Sequence, residues 1–290
     1  MPHLMLGWQI ALLWAAVLIV ISLLLVLLRP KGRVARVLAA AVRESGIVLA
    51  LFAVWQLAGT LAHHNAAGAV GRGRDILAIE RDLHIANEHG TQRLIEGHDL
   101  IAQACNIFYL YAHFNGMLLF LAWIFFLHRR LYPAVRITVV IVTAVSFLFH
   151  LFITVAPPRL LPGGGFVDVA QQYGQSVYGP TTLQVADQLS AFPSVHVGWA
   201  AIVAWWMWRA SPWRWGWVGV THLVVTSFVV VATGNHFWLD GIVAILIMAA
   251  ALMLQAAVPS AVRRWRRAAD CTETDVSPDA PADSRRSLVP

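Results

Sequence analysis

The sequence predicts an all-α, polytopic membrane protein with about seven transmembrane helices, and three observations lead to this prediction. Hydrophobic residues make up 59% of the 290-residue chain and charged residues only 12%, whereas soluble domains carry about 25% charged residues. The hydrophobic residues form runs long enough to cross a bilayer core of roughly 30 Å. Backbone groups in lipid must be satisfied within their own segment, so each run is expected to be a helix. The composition therefore excludes disorder over most of the chain and argues against a soluble enzyme.

The apolar runs are expected to span the membrane at about 6–28, 45–62, 105–127, 136–156, 192–208, 216–234 and 237–258. The first run has no basic residue before its core and no small-residue cleavage site after it, so we interpret it as a retained helix rather than a signal peptide. Residues 63–104 carry an amphipathic pattern that is typical of short helices along the interface. Residues 157–191 form a second long loop, and such loops are often functional. The polar tail after residue 268 is expected to be disordered.

The placement of basic residues predicts the orientation, because Lys and Arg concentrate in cytoplasmic loops. With the N-terminus outside, 16 of the 21 basic residues fall on the inner side. The five that remain outside are Arg72, Arg74, Arg81, Arg93 and Arg159. The sequence pI near 10.0 is then a consequence of topology, and no nucleic-acid partner is expected.

Two polar motifs lie at the expected outer ends of spans. In AFPSVHVGWA (191–200), Pro193 and Ser194 suit a helix start, which places His196 in the first turn. In TGNHFWLDGIVA (233–244), His236 and Asp240 are four residues apart and share a helix face. A carboxylate that holds an imidazole fixes its tautomer and makes its second nitrogen more basic, as a nucleophilic or general-base histidine requires.

Arg159, in APPRLLPGG (156–164), is the only basic residue of the second outer loop. A planar guanidinium can bind two phosphate oxygens at once. Together with the two histidines and the aspartate on the same face, it indicates phosphoryl transfer through a phosphohistidine. The alternatives are a structural His–Asp pair and an arginine that only anchors its loop. A metal site is not expected, because no third ligand has a convincing spacing.

These motifs resemble those of the type 2 phosphatidic acid phosphatase superfamily, since PSVH looks like its PSGH motif and NHFWLD contains its HxxxD motif. The closer similarity is to the inositol phosphorylceramide synthase branch, which transfers inositol phosphate between lipids through a His, His, Asp triad facing the lumen or cell exterior. The resemblance covers roughly 45–258, the expected six-helix catalytic core. Residues 1–44 would add a transmembrane helix and a basic inner loop, and 259–290 a basic anchor and a disordered cytoplasmic tail.

The resemblance implies that His236 is the nucleophile, that Asp240 orients it, and that His196 protonates the leaving oxygen and then deprotonates the acceptor. Ser194 and Asn235 within the motifs, with Arg159, are expected to contact substrate. The implied partners are a lipid phosphate and the bilayer, with no cofactor and no metal. The oligomeric state stays open.

Three departures separate the chain from the general phosphatases. Their KxxxxxxRP motif needs a lysine, and the only lysine is Lys31, on the expected inner side. Val230 stands where they place an arginine six residues before the second histidine, and Val195 replaces the glycine of PSGH. These losses favour a lipid phosphotransferase at the extracytoplasmic face of the cell membrane.

Two alternatives remain for the function. One is a lipid phosphatase acting on phosphatidic acid or a polyprenyl diphosphate, and the other is a non-catalytic lipid-binding or transport protein. His113 and His150 lie within expected spans, where an ionisable group either serves function or bonds a neighbouring helix.

Overall fold

The computed structural model describes residues 7–28, 32–62, 67–176 and 188–274. Within these ranges the regular elements are helices, and the β-structure is limited to one isolated bridge between Val155 and Ser190. The α-helices are α1 (Trp8–Leu27), α2 (Arg33–Ala62), α3 (Ala69–Asp82), α4 (Glu88–Arg93), α5 (Asp99–Ile107), α6 (His113–Leu127), α7 (Tyr132–Phe152), α8 (Val169–Gln172), α9 (Val195–Ala210), α10 (Trp213–Ala232) and α11 (Trp238–Thr274). The expected all-α, polytopic fold is confirmed.

Among the described residues, six helical stretches are long and apolar enough to cross a membrane: Trp8–Leu27, Val34–Val54, Asp99–Leu127, Tyr132–Phe152, Trp213–Ala232 and Trp238–Val258. The seventh expected span, 192–208, corresponds to α9. That helix has 16 residues and is therefore about 24 Å long, shorter than the other six. The chain is a multi-pass membrane protein, and α9 falls short of the length of those six stretches.

The largest differences from the predicted boundaries are at three helix ends. α2 begins at Arg33 rather than near 45, because the Ala-rich segment before residue 45 consists of good helix formers. The expected span at 105–127 begins earlier, at Asp99, and passes through a π-helical turn at Phe108–Ala112. α11 continues to Thr274, into the tail expected to be disordered after 268. The rest of that tail lies outside the described residues.

An ion cluster ties α2 to α7 at the expected inner side. Glu44 is buried, and its carboxylate accepts hydrogen bonds from Arg136 at 2.7 Å, Arg43 at 2.9 Å and the Tyr132 hydroxyl at 3.1 Å. These partners compensate the cost of removing a carboxylate from water.

Small residues set the position of α9 between α7 and α10. A Cβ at Gly219 of α10 would lie 2.9 Å from the Ala204 Cα atom of α9, and one at Gly198 would lie 3.0 Å from Val142 Cγ1 of α7. Close backbone approach at small residues is how helices pack in membranes, where burial of apolar surface contributes little.

The outer segments pack into an apolar layer beside the start of α11. α3 contacts the second outer loop so closely that a Cβ at Gly73 would lie 2.6 Å from the Ala156 carbonyl oxygen. The buried members of this layer are Ala69, Ile76, Val155, Ala156, Leu161, Leu189, Ala191 and Phe237. α3 and α4 are the short helices expected between 63 and 104. They hold the loop that carries Arg159 and Ala191 in place.

Candidate active site

The two histidine motifs meet where α9 and α11 begin. His196 lies in the first turn of α9 and His236 immediately before α11, and their ring centroids are 5.5 Å apart. The backbone N–H of Ser194 donates to the Asp240 carbonyl oxygen at 3.1 Å, which links the motifs directly. Helix starts leave backbone N–H groups without intrahelical partners and favour negative charge. The site therefore combines two imidazoles with two helix N-termini.

His236 is held through its Nδ1 atom. This nitrogen donates to the Ala191 carbonyl oxygen at 2.8 Å and to Asp240 Oδ2 at 3.2 Å. A carbonyl oxygen can only accept, so Nδ1 carries the proton and Nε2 carries the lone pair. Burial lowers the pKa of His236, which keeps the ring neutral at pH 7. A neutral imidazole with a fixed tautomer is suited to nucleophilic attack from Nε2.

Asp240 is completely buried in the first turn of α11. Its Oδ2 atom accepts the backbone N–H of Phe237 at 2.8 Å as well as the His236 contact. Its Oδ1 atom has no hydrogen-bond partner within the described ranges of the chain. A buried aspartate in this position favours a positive charge on the histidine, as a phosphohistidine intermediate requires.

Arg159 lies beside the second motif, in a 3-10 turn (Pro158–Leu160). Its Nε atom donates to Asn235 Oδ1 at 2.9 Å, and its Nη1 atom donates to Gln188 Oε1 at 3.2 Å and lies 3.6 Å from Asp168 Oδ2. Its backbone N–H donates to the Gly234 carbonyl oxygen at 3.0 Å. The side chain is buried, so its charge acts in a low-dielectric setting where it is worth more than in water.

The two remaining residues expected to bind substrate both have structural partners. Ser194 Oγ accepts the backbone N–H of Val197 at 3.3 Å and caps α9. Asn235 accepts from Arg159, and its Nδ2 atom donates to Thr233 Oγ1 at 2.8 Å. A capping serine and an arginine-orienting asparagine both shape the site. Their contact with substrate stays a prediction.

Two buried glutamates from the first outer segment support the start of α11, and the sequence analysis missed both. Glu80 Oε1 accepts the backbone N–H of Leu239 at 2.6 Å, and Glu88 Oε1 accepts that of Trp238 at 3.4 Å. Burial and the Glu88 carboxyl raise the pKa of Glu80 to about 9. Glu80 and Glu88 thus satisfy amides that a helix start leaves unpaired. Their spacing in the sequence carries no signal of this contact.

Further histidines surround the site. His150 Nε2 donates to the Pro193 carbonyl oxygen at 3.0 Å and so supports the PSVH motif from α7. The His113 ring centroid lies 5.1 Å from that of His196, and the Tyr109 ring is stacked on His196 at 4.6 Å. His222 of α10, which the sequence analysis did not single out, is stacked against His113 at 5.5 Å. Within the part of the chain that the structure describes, no group of three or more His, Cys, Asp or Glu residues could hold a metal ion.

The chemistry available to this arrangement is nucleophilic displacement assisted by a second histidine. It combines an imidazole held by a carbonyl oxygen and a carboxylate, a second imidazole and a buried guanidinium. A family model described as the PAP2 superfamily matches residues 74–254. Those residues include both histidine motifs and Arg159. No significant match was found among curated proteins or solved structures. Because the family model covers more than half of the chain, and both motifs meet in one buried site, this protein belongs to the PAP2 superfamily of lipid phosphatases and phosphotransferases.

Proposed function

We propose that this protein is a lipid phosphotransferase that moves a phosphoryl headgroup, of the inositol phosphate type, between lipid alcohols through a phosphohistidine. The observation that carries the proposal is the fixing of His236 Nδ1 by the Ala191 carbonyl oxygen at 2.8 Å and by Asp240 at 3.2 Å. This directs the Nε2 lone pair outward while the His196 ring lies 5.5 Å away. The two histidines are therefore neighbours in one site, where both can reach the same phosphorus centre.

In the first half-reaction, His236 Nε2 attacks phosphorus and the bond from phosphorus to the donor-lipid oxygen breaks. Protonated His196 gives its proton to that departing oxygen, which leaves as an alcohol. Asp240 offsets the positive charge that forms on the His236 ring. Arg159 and the N–H groups of the first residues of α9 stabilise the negative charge on the phosphoryl oxygens.

In the second half-reaction, the acceptor hydroxyl attacks phosphorus and the bond from phosphorus to Nε2 breaks. Neutral His196 takes the hydroxyl proton, which restores both histidines to their starting states. With water as acceptor the same steps release free phosphate ester. The chain therefore has the same machinery available for transfer and for hydrolysis.

The proposal of a transferase rather than a phosphatase is supported by the cations that are missing. The phosphatase-type lysine has no counterpart beyond Lys31, and Val230 occupies the place of the arginine before the second histidine. We place the reaction at the extracytoplasmic face of the cell membrane, because this orientation leaves 16 of the 21 basic residues inside.

The test uses the purified protein in lipid nanodiscs with phosphatidylinositol labelled with ³²P at its phosphate. Ceramide, or a diacylglycerol whose chains differ from those of the donor, is added as the acceptor. We expect the label to pass to the acceptor lipid in excess over water-soluble inositol phosphate. If added acceptor does not change the amount of soluble label released, the result supports the phosphatase alternative. Phosphatidic acid and a polyprenyl diphosphate, assayed for free phosphate in parallel, identify that alternative directly.

Matched variants separate catalysis from lipid binding. His236→Ala and His196→Ala are expected to abolish transfer. His98→Ala, at an exposed histidine of the loop 63–104, is expected to retain it. Wild-type protein that binds lipid but neither transfers nor hydrolyses any of these substrates would favour the non-catalytic alternative.

A further inference from the structure

His113 is a buried histidine whose ring does not hydrogen-bond to any described residue. It is 2% exposed, and neither ring nitrogen has a hydrogen-bond partner among the residues that the structure describes. Buried polar groups in folded proteins are nearly always paired, so an orphan calls for an explanation. The ring lies in α6, and its centroid is 5.1 Å from that of His196. The explanation we develop is that a bound molecule supplies the missing partner.

His222 on α10 repeats this pattern next to His113. Its ring is nearly parallel to that of His113, with an interplanar angle of 3° and a centroid separation of 5.5 Å. Its Nε2 atom is also buried, and no described residue hydrogen-bonds to it. The rings of His236, His196, His113 and His222 thus form a continuous series that leads from the candidate nucleophile into the helix bundle.

A cavity of about 610 Å³ continues from His222, within the size range typical of small-molecule pockets. Its wall is formed by one face each of α6, α9 and α10. The lining residues of each helix are three or four positions apart, as Gly116, Phe120 and Trp123 are on α6. His128, Ser211 and Pro212 complete the lining, where α6 ends and α9 joins α10. The cavity therefore follows the helices for about 10 Å between Gly116 and Trp123 alone.

We propose that this cavity binds one hydrocarbon chain of the lipid substrate, and that His113 and His222 hydrogen-bond to the polar group joining that chain to the phosphate. The chemical class of ligand follows from the surroundings. The wall is almost entirely apolar, and it lies between helices that cross the membrane, where hydrocarbon chains are the molecules at hand. The unpaired imidazole nitrogens lie between this wall and His196, where an ester or hydroxyl of such a lipid would be. The inference rests on the proposed function for the position of the phosphate.

Photo-crosslinking tests chain binding without requiring turnover. The probe is phosphatidic acid with a diazirine near the end of one chain, added to the His236→Ala protein in nanodiscs. We expect cross-links on the cavity-lining residues of α6, α9 and α10, and competition by unlabelled phosphatidic acid. Cross-links confined to outward-facing positions such as Phe152 would overturn the proposal. Cross-links in the cavity that unlabelled phosphatidic acid does not compete away would overturn it as well. Because the variant lacks the nucleophile, a failure of the phosphotransferase proposal does not alter this readout.

Gly116 provides a matched pair of variants at the head of the cavity. A Cβ at this position meets only His222 Cε1, at 3.6 Å, which is an ordinary contact. Gly116→Ala is therefore expected to keep cross-linking at the wild-type level. Gly116→Leu fills the space beside His222 and is expected to reduce cavity cross-links about tenfold, in line with the strong effect of overpacking a closely fitted site. Equal cross-linking in both variants would overturn the chain site.

The two histidines are tested by replacing each with phenylalanine, which keeps the ring and removes the nitrogens. We expect His113→Phe and His222→Phe to weaken competition by phosphatidic acid about five- to tenfold, the value of roughly one hydrogen bond. The melting temperature is expected to stay the same or rise, because an unpaired polar group is removed. Unchanged competition, or weakened competition that merely follows a lower melting temperature, would assign the histidines a structural role and overturn this part of the proposal.

Discussion

Arg159 and Asn235 are joined by a 2.9 Å hydrogen bond from Nε to Oδ1, so the single basic residue of the second outer loop is fixed to the residue that precedes His236. The backbone strengthens this link, because the Arg159 N–H donates to the Gly234 carbonyl oxygen at 3.0 Å. Two segments more than 70 positions apart in the chain thus place a guanidinium and an imidazole beside each other. The loop arginine can act where the phosphatase-type lysine is missing.

The first prediction concerns this guanidinium. Arg159→Lys keeps the positive charge but loses the planar guanidinium, which can donate hydrogen bonds to Asn235 and to an anion at the same time. We expect kcat/KM for the labelled phosphatidylinositol to fall about 10²-fold, the range seen when one preorganised donor is removed from a charged transition state. Asn235→Ala is expected to cost less. In the Arg159→Ala background its further effect should be small, because the asparagine acts through the arginine. Additive effects would contradict that dependence.

The second prediction separates the roles of the two histidines by the leaving group. His236→Ala removes the nucleophile and is expected to abolish both turnover and an acid-labile ³²P label on the protein. His196→Ala removes the general acid, which matters less when the departing oxygen is already a weak base. Its defect should therefore be at least tenfold smaller with a p-nitrophenyl ester of the same phosphate than with the natural lipid. An equal defect with both esters would remove His196 from the role of general acid.

The third prediction concerns the His236 tautomer. Asp240→Asn preserves a side-chain oxygen for the Phe237 N–H but removes the charge that favours a cationic His236. We expect kcat to fall about 10²- to 10⁴-fold, because a histidine with the wrong tautomer or a poorly stabilised cation is a weak nucleophile. The control is Asp75→Asn, at an exposed position of α3, which is expected to have wild-type activity. Single-turnover ³²P labelling should slow with kcat if the effect lies in the attack step.

The sequence predicts this site well where the signal is local and poorly where it is not. Ser194 precedes a helix that contains His196, so capping is sufficient to place that histidine. His236 and Asp240 are in contact as their spacing predicts, but His236 lies two residues before α11 and not on a shared helix face. The meeting of the two motifs needs the packing of α9 against α10, which depends on close contacts at Gly219 and its neighbours.

The supporting residues are the part that local patterns do not reveal. Glu80 reaches Leu239 across 159 positions, and Glu88 reaches Trp238 across 150. In the sequence, each of the two looks like an ordinary charged residue on an amphipathic surface helix. The residues next to it give no sign that the start of α11 will pack against it. His222 is hidden for the same reason, since its partner His113 belongs to a different span.

The fourth prediction follows from the raised pKa of Glu80, which is about 9 in the folded protein against an ordinary value of 4.5. Between these two values the folded state holds a proton that the unfolded state has released. Stability therefore falls as pH rises from 4.5 towards 9, with a slope of at most about 1.4 kcal/mol per pH unit. Glu80→Gln keeps an oxygen for the Leu239 N–H and removes this titration.

We expect the melting temperature of Glu80→Gln in detergent to exceed that of wild type at pH 8 to 9 and to depend less on pH. Glu96→Gln, at an exposed site in the same segment, should follow the wild-type curve. Parallel curves for Glu80→Gln and wild type would mean that Glu80 is ionised throughout, and that the start of α11 is stabilised by its charge rather than by its proton.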